Sequence, residues 1–244
     1  MAADPILLPG DYLDPKVLPS HPSKALKLGP GLLHIPPNSI VSTVAGRLCT
    51  DNKKNAVWVE YNSGRYIPVV DDLVIATIHH SATDFYYASI SDYSSNAILP
   101  NLSFEGASRK SRPQLAPGAL VYARITLANK HMDLELECVS ASTGKSDGLG
   151  PLTGGMVFSV SLAMARRLML PKPGEQGQLV LLEELGAAGA SFEIAVGRNG
   201  RVWVDSKSVK STLAIGNMIQ RTDQEGWMVE KQRIMAKRMA KEIS

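Results

Sequence analysis

Cysteine is scarce in this 244-residue chain, which contains only Cys49 and Cys138. A disulfide-stapled scaffold needs more, and neither cysteine has the companions of a zinc site, so a reducing compartment is expected. No apolar run approaches the roughly 20 residues that a membrane-spanning helix requires, so no membrane partner is expected. The first ten residues carry Asp4, Pro5 and Pro9 and no basic leader region, which speaks against a secretory signal. Charge of one sign is also in short supply. The 26 Lys and Arg against 23 Asp and Glu leave a net charge of +3 and a pI near 8.8. That balance leans toward an anionic partner without proving one. There is no Gly-x-Ser-x-Gly elbow, no His-Glu-x-x-His, no internal repeat and no low-complexity tract.

What is present suits a globular protein: 44% hydrophobic and 20% charged residues, in a chain long enough for one large domain or two to three small ones. Residues 1–66 are rich in proline and glycine. Short strand-like pieces at 39–44 and 56–61 stand between turn signals such as Pro9-Gly10-Asp11, Gly29-Pro30-Gly31 and Asn62-Ser63-Gly64. This predicts a small N-terminal β domain of hairpins. Residues 67–148 carry period-2 patterns. Leu73, Ile75 and Thr77 alternate with Val74, Ala76 and Ile78, and Val121, Ala123 and Ile125 with Tyr122, Arg124 and Thr126. Met132, Leu134, Leu136 and Cys138 are set against Asp133, Glu135 and Glu137. Several short strands in about 80 residues predict a closed barrel of the OB type. The glycine-rich stretch 141–155 reads as a linker. From about 149 to 244 the pattern predicts a strand at 157–160 and helices at 161–170 and 179–185. A hairpin of 192–196 and 201–204 follows, around Gly197-Arg198-Asn199-Gly200, then helices near 209–220 and 223–241. The order β-α-α-β-β-α is that of a type I KH domain, so the expected fold is mainly β with an α/β C-terminal part.

Each chemically suggestive group has a plainer alternative. Thr143-Gly144-Lys145-Ser146 ends like a phosphate-binding loop, but Val139 stands where a glycine is required, and Asp147-Gly148-Leu149-Gly150-Pro151 excludes a following helix. Asp133, Glu135 and Glu137 could gather on one strand face as metal ligands, or form a solvated face. His79 and His80 are adjacent and in a regular strand point to opposite faces, a poor metal or catalytic pair. No catalytic residue, metal or cofactor is therefore expected. Arg109, Lys110 and Arg112 crowd one loop. They could track a phosphate backbone, meet an acidic protein, or simply be solvated. Phe85 and Tyr87 share one strand face, opposite Tyr86, Ala88 and Ile90; exposed aromatics there stack bases, buried ones form core. In the last helix Arg233, Lys237 and Lys241 form a basic stripe, and Met228, Met235 and Met239 an apolar one.

The string Leu102-Ser103-Phe104-Glu105-Gly106-Ala107-Ser108, then Arg109-Lys110-Ser111-Arg112-Pro113, then Gly118-Ala119-Leu120-Val121-Tyr122-Ala123-Arg124, resembles the exosome cap subunits of the ribosomal RNA-processing protein forty type. So does Lys27-Leu28-Gly29-Pro30-Gly31-Leu32 with Ser42-Thr43-Val44-Ala45-Gly46, and so does the Gly-x-Asn-Gly at 197–200 with Arg201-Val202-Trp203-Val204. The resemblance runs through nearly the whole chain. It implies an N-terminal β domain (1–66), an S1 domain (67–148) and a KH domain (149–244). It further implies a non-catalytic cap that sits with other cap subunits on a ring of subunits resembling phosphorolytic exoribonucleases. Single-stranded RNA would pass through cap and ring toward 3′–5′ degradation, in nucleus, nucleolus and cytoplasm. A free-standing S1/KH RNA-binding adaptor is the alternative.

A KH domain ordinarily clamps nucleotides with a Gly-x-x-Gly loop between two helices. Here Gly197, Asn199 and Gly200 lie between strands, where they suit the positive-φ positions of a tight turn. They are expected to shape the fold or a domain contact. Gly174-Glu175-Gln176-Gly177 stands where the clamp would be, but Glu175 would repel phosphate.

Overall fold

The computed structural model describes residues 5–20, 22–52, 54–61, 65–176 and 178–243, in two compact units, 1–63 and 64–244. Among the described residues, the regular elements of the first unit are strands and one 3-10 turn at Pro15–Val17, capped by Asp14. Its strands are β1 (Ile6–Leu7), β2 (Lys27–Leu28), β3 (Leu32–Ile35), β4 (Ser39–Ser42), β5 (Gly46–Asp51) and β6 (Ala56–Glu60). They form a sheet ordered β1-β5-β6-β2 and a separate β3–β4 hairpin. The turn expected at Asn62-Ser63-Gly64 lies outside the described residues. Alternation supplies the core: Ile40, Leu48 and Val57 point inward with Leu13, and Leu7, Leu28 and Leu32 pack against them.

The second unit begins with the barrel strands β7 (Leu73–Ser81), β8 (Phe85–Ser89), β9 (Ala97–Pro100), β10 (Leu120–Leu127), β11 (Glu135–Glu137) and β12 (Gly150–Leu152). The order is β11-β9-β8-β7-β10-β12, and a further β10–β11 pairing closes the barrel. One residue set fills it: Val74, Ala76 and Ile78 from β7, Tyr86 and Ala88 from β8, Val121, Ala123 and Ile125 from β10, Leu136 from β11. Each Val, Ile and Leu in that set contributes about 1.5–3 kcal/mol through removal from water. Three expectations need correction. Met132 is 58% exposed rather than buried, because the regular strand starts only at Glu135. The expected linker 141–155 contains β12, which extends the barrel sheet by pairing Leu120 with Leu152 and Tyr122 with Gly150. And β7 carries an irregularity: Ile78 faces Ala88 while His80 faces Tyr87, so His79 is the extra residue of a bulge.

The chain continues through β13 (Met156–Ser159), α1 (Leu162–Leu168), a single helical turn α2 (Pro173–Gln176), α3 (Leu181–Ala187), β14 (Phe192–Gly197), β15 (Arg201–Ser206), α4 (Val209–Glu225) and α5 (Val229–Ile243). The antiparallel sheet order β13-β15-β14 with helices inserted after its first strand is the type I KH arrangement. Ser161 caps α1, its Oγ accepting from Met164 N at 3.0 Å, and Asp223 of α4 in turn accepts from Ser161 N and Oγ, both at 2.6 Å. α4 runs past the expected break at 220–223 and stops at Gly226, which takes the left-handed φ of 60° that a helix C-terminus favours. Met228 therefore precedes α5 and is 74% exposed, so the expected methionine stripe reduces to Met235 and Met239. Gln232 is fully buried and fully used. It accepts from Val180 N at 3.0 Å and donates to Gln178 O and Trp227 O at 3.0 and 2.7 Å, pinning α5 to the segment before α3. Of the expected clamp at 174–177, Gly174 to Gln176 lie in the helical turn α2 and Gly177 lies outside the described residues. Nothing in unit 2 or unit 1 is a helix long and apolar enough to cross a membrane, among the described residues.

Candidate nucleic-acid interface

The bulge at His79 re-aims the end of β7. Both His79 and His80 are exposed, and their rings meet edge to face at 5.8 Å between centroids, instead of lying on opposite faces. His80 lies over Tyr87 at 4.3 Å with its plane tilted by 31°, and Tyr87 meets Phe85 edge-on at 5.0 Å. Phe85 and Tyr87 are half-buried on the outer barrel face, while Tyr86 and Ala88 point into the core. The result is a contiguous run of rings on the barrel surface. The sequence pointed to Phe85 and Tyr87 and missed both histidines. The missing signal is the bulge, which neither residue type nor spacing encodes.

The basic loop is anchored beside the start of β8. Tyr86 OH donates to Pro113 O at 2.8 Å, and Arg112 donates to Thr83 O at 3.3 Å. A Ser108–Ser111 hydroxyl pair at 2.8 Å staples the turn between them. Arg109 and Lys110 remain exposed at the tip, and Arg112 is half-buried. The three cations are thus not equivalent: two present charge to solvent and the third is engaged with the backbone under the aromatic strand.

Gly197, Asn199 and Gly200 stand elsewhere, where the KH sheet packs on the barrel. Only Gly200 has the positive φ expected of the motif, at 75°. A Cβ there would also come within 2.7 Å of Val160 O. Gly197 is needed for a different reason: its Cβ would collide with Asn199 Oδ1 and approach Ile75 N to 2.8 Å. Asn199 is a clasp. Its Nδ2 donates to Ile75 O at 2.9 Å and Ile90 O at 2.7 Å, and its Oδ1 accepts from Ile75 N at 3.3 Å. Arg201 donates to Thr77 Oγ1 and Ser89 O at 3.1 and 3.2 Å, and burial lowers its pKa. Arg198 N donates to Leu73 O at 2.7 Å, and Arg198 Nε pairs at 3.0 Å with Asp72, which also accepts from Tyr66 OH at 2.7 Å. Burial first, then that bond to Asp72, raises the Tyr66 pKa. Behind these polar contacts Ile75, Ala195 and Trp203 form a small core with Leu120, Tyr122, Leu152 and Val157. Tyr122 OH donates to Val196 O at 3.0 Å, and burial pushes its pKa up to about 12. Ile75, on the barrel's outer face, is fully buried only because the KH sheet covers it.

The carboxylate and phosphate-loop alternatives take definite form. Arg124 bridges Asp71 at 2.7 Å and Glu137 at 2.8 Å, so Glu137 neutralises an arginine. Glu105 accepts from Ser146 N at 2.7 Å, and the hydrogen bonds from Ser146 lower its pKa. Asp147 accepts from Thr143 Oγ1 at 2.6 Å. Carboxylates thus hold the polar groups that a phosphate would need. Among the described residues no group of three or more His, Cys, Asp or Glu is placed to hold a metal ion.

A barrel of the S1 kind, docked through its outer face on a type I KH sheet and carrying aromatic and basic groups on another surface, is the build of a multidomain RNA-binding protein. Comparison with known proteins narrows the class. Residues 66–150 match the family model described as exosome complex component RRP40, S1 domain, and residues 26–65 the exosome complex exonuclease Rrp40 N-terminal domain. Residues 155–210 match a KH domain. The exosome complex component RRP40 of Saccharomyces cerevisiae is 37% identical over 242 residues, covering 97% of this chain and 96% of that one. The Schizosaccharomyces pombe component rrp40 is 40% identical over 216 residues, 87% and 85% of the two chains. The human RRP40 component is 32% identical, covering 79% of this chain and 68% of its own. A crystal structure described as that of a candidate exosome complex RNA-binding protein superposes with a TM-score of 0.56 at 22% identity, over 73% of this chain and 98% of that one, which bears on the fold. The chain belongs to the exosome complex component RRP40 family.

Proposed function

We propose that this chain is a non-catalytic, RNA-binding cap subunit of a eukaryotic RNA exosome. It helps assemble the ring of subunits resembling phosphorolytic exoribonucleases, contacts other cap subunits, and guides single-stranded RNA toward 3′–5′ degradation and processing. The observation that carries the reading is the family match along nearly the entire chain, through all three domains in order. The run of rings at Phe85 and Tyr87 supplies a stacking surface, and the exposed Arg109 and Lys110 supply charge for a phosphate backbone. The word exonuclease in one family description sets the point to be tested. The purified chain, with or without divalent metal, is expected to leave labelled single-stranded RNA intact. Metal-dependent shortening that survives repurification and is abolished by Asp133→Ala with Glu135→Ala would overturn the non-catalytic reading.

Assembly is tested by mixing the chain with exosome ring subunits and measuring mass in solution. Stable incorporation is expected; a chain that stays monomeric while binding RNA would be a free-standing adaptor instead. RNA contact is tested by Phe85→Ala and Tyr87→Ala, each expected to weaken RNA binding by roughly 1–3 kcal/mol if a base stacks there. The same reading carries an expected distribution over nucleus, nucleolus and cytoplasm, which imaging of the tagged chain tests.

A further inference from the structure

Ser111 is the one serine of the chain with a cation on both sides: Arg109 and Lys110 precede it and Arg112 follows it. It is exposed, as are Ser108, Arg109 and Lys110. Its hydrogen bonds stay inside its own loop. Ser111 Oγ accepts from Ser108 N at 3.1 Å, donates to Gly106 O at 3.2 Å and lies 2.8 Å from Ser108 Oγ. Ser111 N donates to Ser108 Oγ and Ser108 O, both at 3.2 Å. The fixed points stand outside that turn. Phe104 is buried in the barrel on one side, and Tyr86 OH holds Pro113 O on the other. Between them residues 105–112 contain no strand or helix, and Arg112 adds only its long bond to Thr83 O. An exposed loop held by its own bonds opens without unfolding the domain beneath it. Ser111 can therefore be drawn out of the turn while the barrel stays closed.

The other serines beside basic residues differ. Ser208 follows Lys207, but its Oγ caps α4 by accepting from Ser211 N at 3.1 Å. Ser146 follows Lys145 but precedes Asp147, and Glu105 holds its N–H. That bond also engages Glu105, the one carboxylate in 105–113. Among the described residues neither Arg109 nor Lys110 has an ion-pair partner. The two exposed cations beside Ser111 are thus left for an external anion, and a phosphate on Ser111 would carry about −1.5 to −2 at neutral pH. One modification is enough to offset both. It would also take from Gly106 O the hydroxyl it accepts from, releasing the staple.

We propose that Ser111 is a phosphorylation site for a protein kinase that selects cations around the acceptor serine, and that its phosphate turns off RNA contact by this loop. The γ-phosphoryl group of a nucleoside triphosphate passes to Ser111 Oγ. The bond from the γ-phosphorus to the β–γ bridging oxygen breaks, the hydroxyl proton goes to the kinase's base, and the nucleoside diphosphate leaves. The regulatory half rests on the reading of Arg109 and Lys110 as RNA contacts. The test incubates the full chain with protein kinase C, magnesium and γ-labelled ATP, and maps the label by mass spectrometry. Ser111 is expected to be the principal labelled residue, and still to be labelled in Ser108→Ala. A folded chain that stays unlabelled at Ser111 would overturn the proposal, whether or not a free peptide of residues 105–115 takes the label. The phosphorylated chain is expected to bind single-stranded RNA roughly 25-fold more weakly at about 0.1 M salt, the difference fading toward 1 M, because two lost contacts of about 0.7 each lower the salt slope by up to about 1.4. Phosphatase treatment should restore binding. Ser111→Ala, which loses the staple without gaining charge, is expected to bind RNA as the unmodified parent does; an equal loss there would overturn the charge mechanism. Undiminished binding after labelling would overturn the regulatory role, and Arg109→Ala with Lys110→Ala then separates the causes. A weakened double variant leaves the RNA reading standing while the proposal falls. An unchanged one removes the loop from RNA binding altogether.

Discussion

Asn199 shows how much one side chain can hold. Its amide satisfies the carbonyls of Ile75 and Ile90 and the N–H of Ile75, three backbone groups of another domain. Asn199→Ala would take from the part-buried Ile90 carbonyl its bond to Asn199 Nδ2 and leave the Ile75 carbonyl only the long bond from Arg201, at a cost of about 1–3 kcal/mol. Gly200→Ala adds a Cβ at φ 75° against Val160 O and is expected to cost about 1–2 kcal/mol or more. Urea denaturation of both variants is the measurement, and RNA affinity of the folded fraction should not change. Normal stability with lost RNA binding would instead make the motif a nucleotide clamp. Cys138 offers a second check at this scale. It is 1% exposed, and burial first, then the charge of Glu137, pushes its thiol up to about 12. At pH 8, well below that value, the thiol is neutral and shielded. An aromatic disulfide reagent should then leave it unmodified in the native chain and modify it in urea. Rapid native labelling of Cys138 would contradict the barrel packing.

At the scale of the element, the loop carrying Arg109, Lys110 and Arg112 divides its labour. Arg109 and Lys110 are exposed, while Arg112 holds Thr83 O. Neutralising Arg109 and Lys110 together should flatten the slope of log affinity against log salt by up to about 1.4, since each phosphate contact on a single strand contributes about 0.7. Adding Arg112→Ala should lower the melting temperature more than it changes the slope. An unchanged slope in the double variant would assign the loop to protein contacts. The β7 bulge works in the same register of cause. One extra residue brings His79 and His80 out together and sets His80 against Tyr87, so a platform arises from a strand defect rather than from a motif. Helix ends follow from single residues in the same way: Ser208 and Ser161 start α4 and α1, and Gly226 stops α4.

For the whole molecule, the packing of the KH sheet on the barrel predicts cooperativity. Ile75 belongs to the barrel by chain and to the seam by packing, so the two domains should unfold in one transition. A chain of residues 64–244 should melt once by both far-UV dichroism and tryptophan emission. Asn199→Ala combined with Tyr122→Phe should separate the probes; coincident probes in that variant would mean the apolar centre alone couples the domains.

The domain order, the barrel alternation and the KH element order were all readable from the chain, because periods of 2 and 3.6 and the Gly and Pro punctuation are local properties. The inward set Val74, Ala76, Ile78, Val121, Ala123 and Ile125 follows directly from that alternation. Alternation also puts Phe85 and Tyr87 on one face and Tyr86 and Ala88 on the other, but only the packed barrel decides that Phe85 and Tyr87 are the outer pair. Tertiary structure alone decided the rest. Ile75 and Tyr122 lie on the barrel's outer face and are covered only by a second sheet, and Asn199 reads as a turn residue until Ile75 lies beside it. The bulge at His79 and the strand inside the expected linker likewise appear only when strands pair, the second across some thirty residues of chain. Local patterning records which side of an element is apolar; which surface will cover it is settled only when the elements pack.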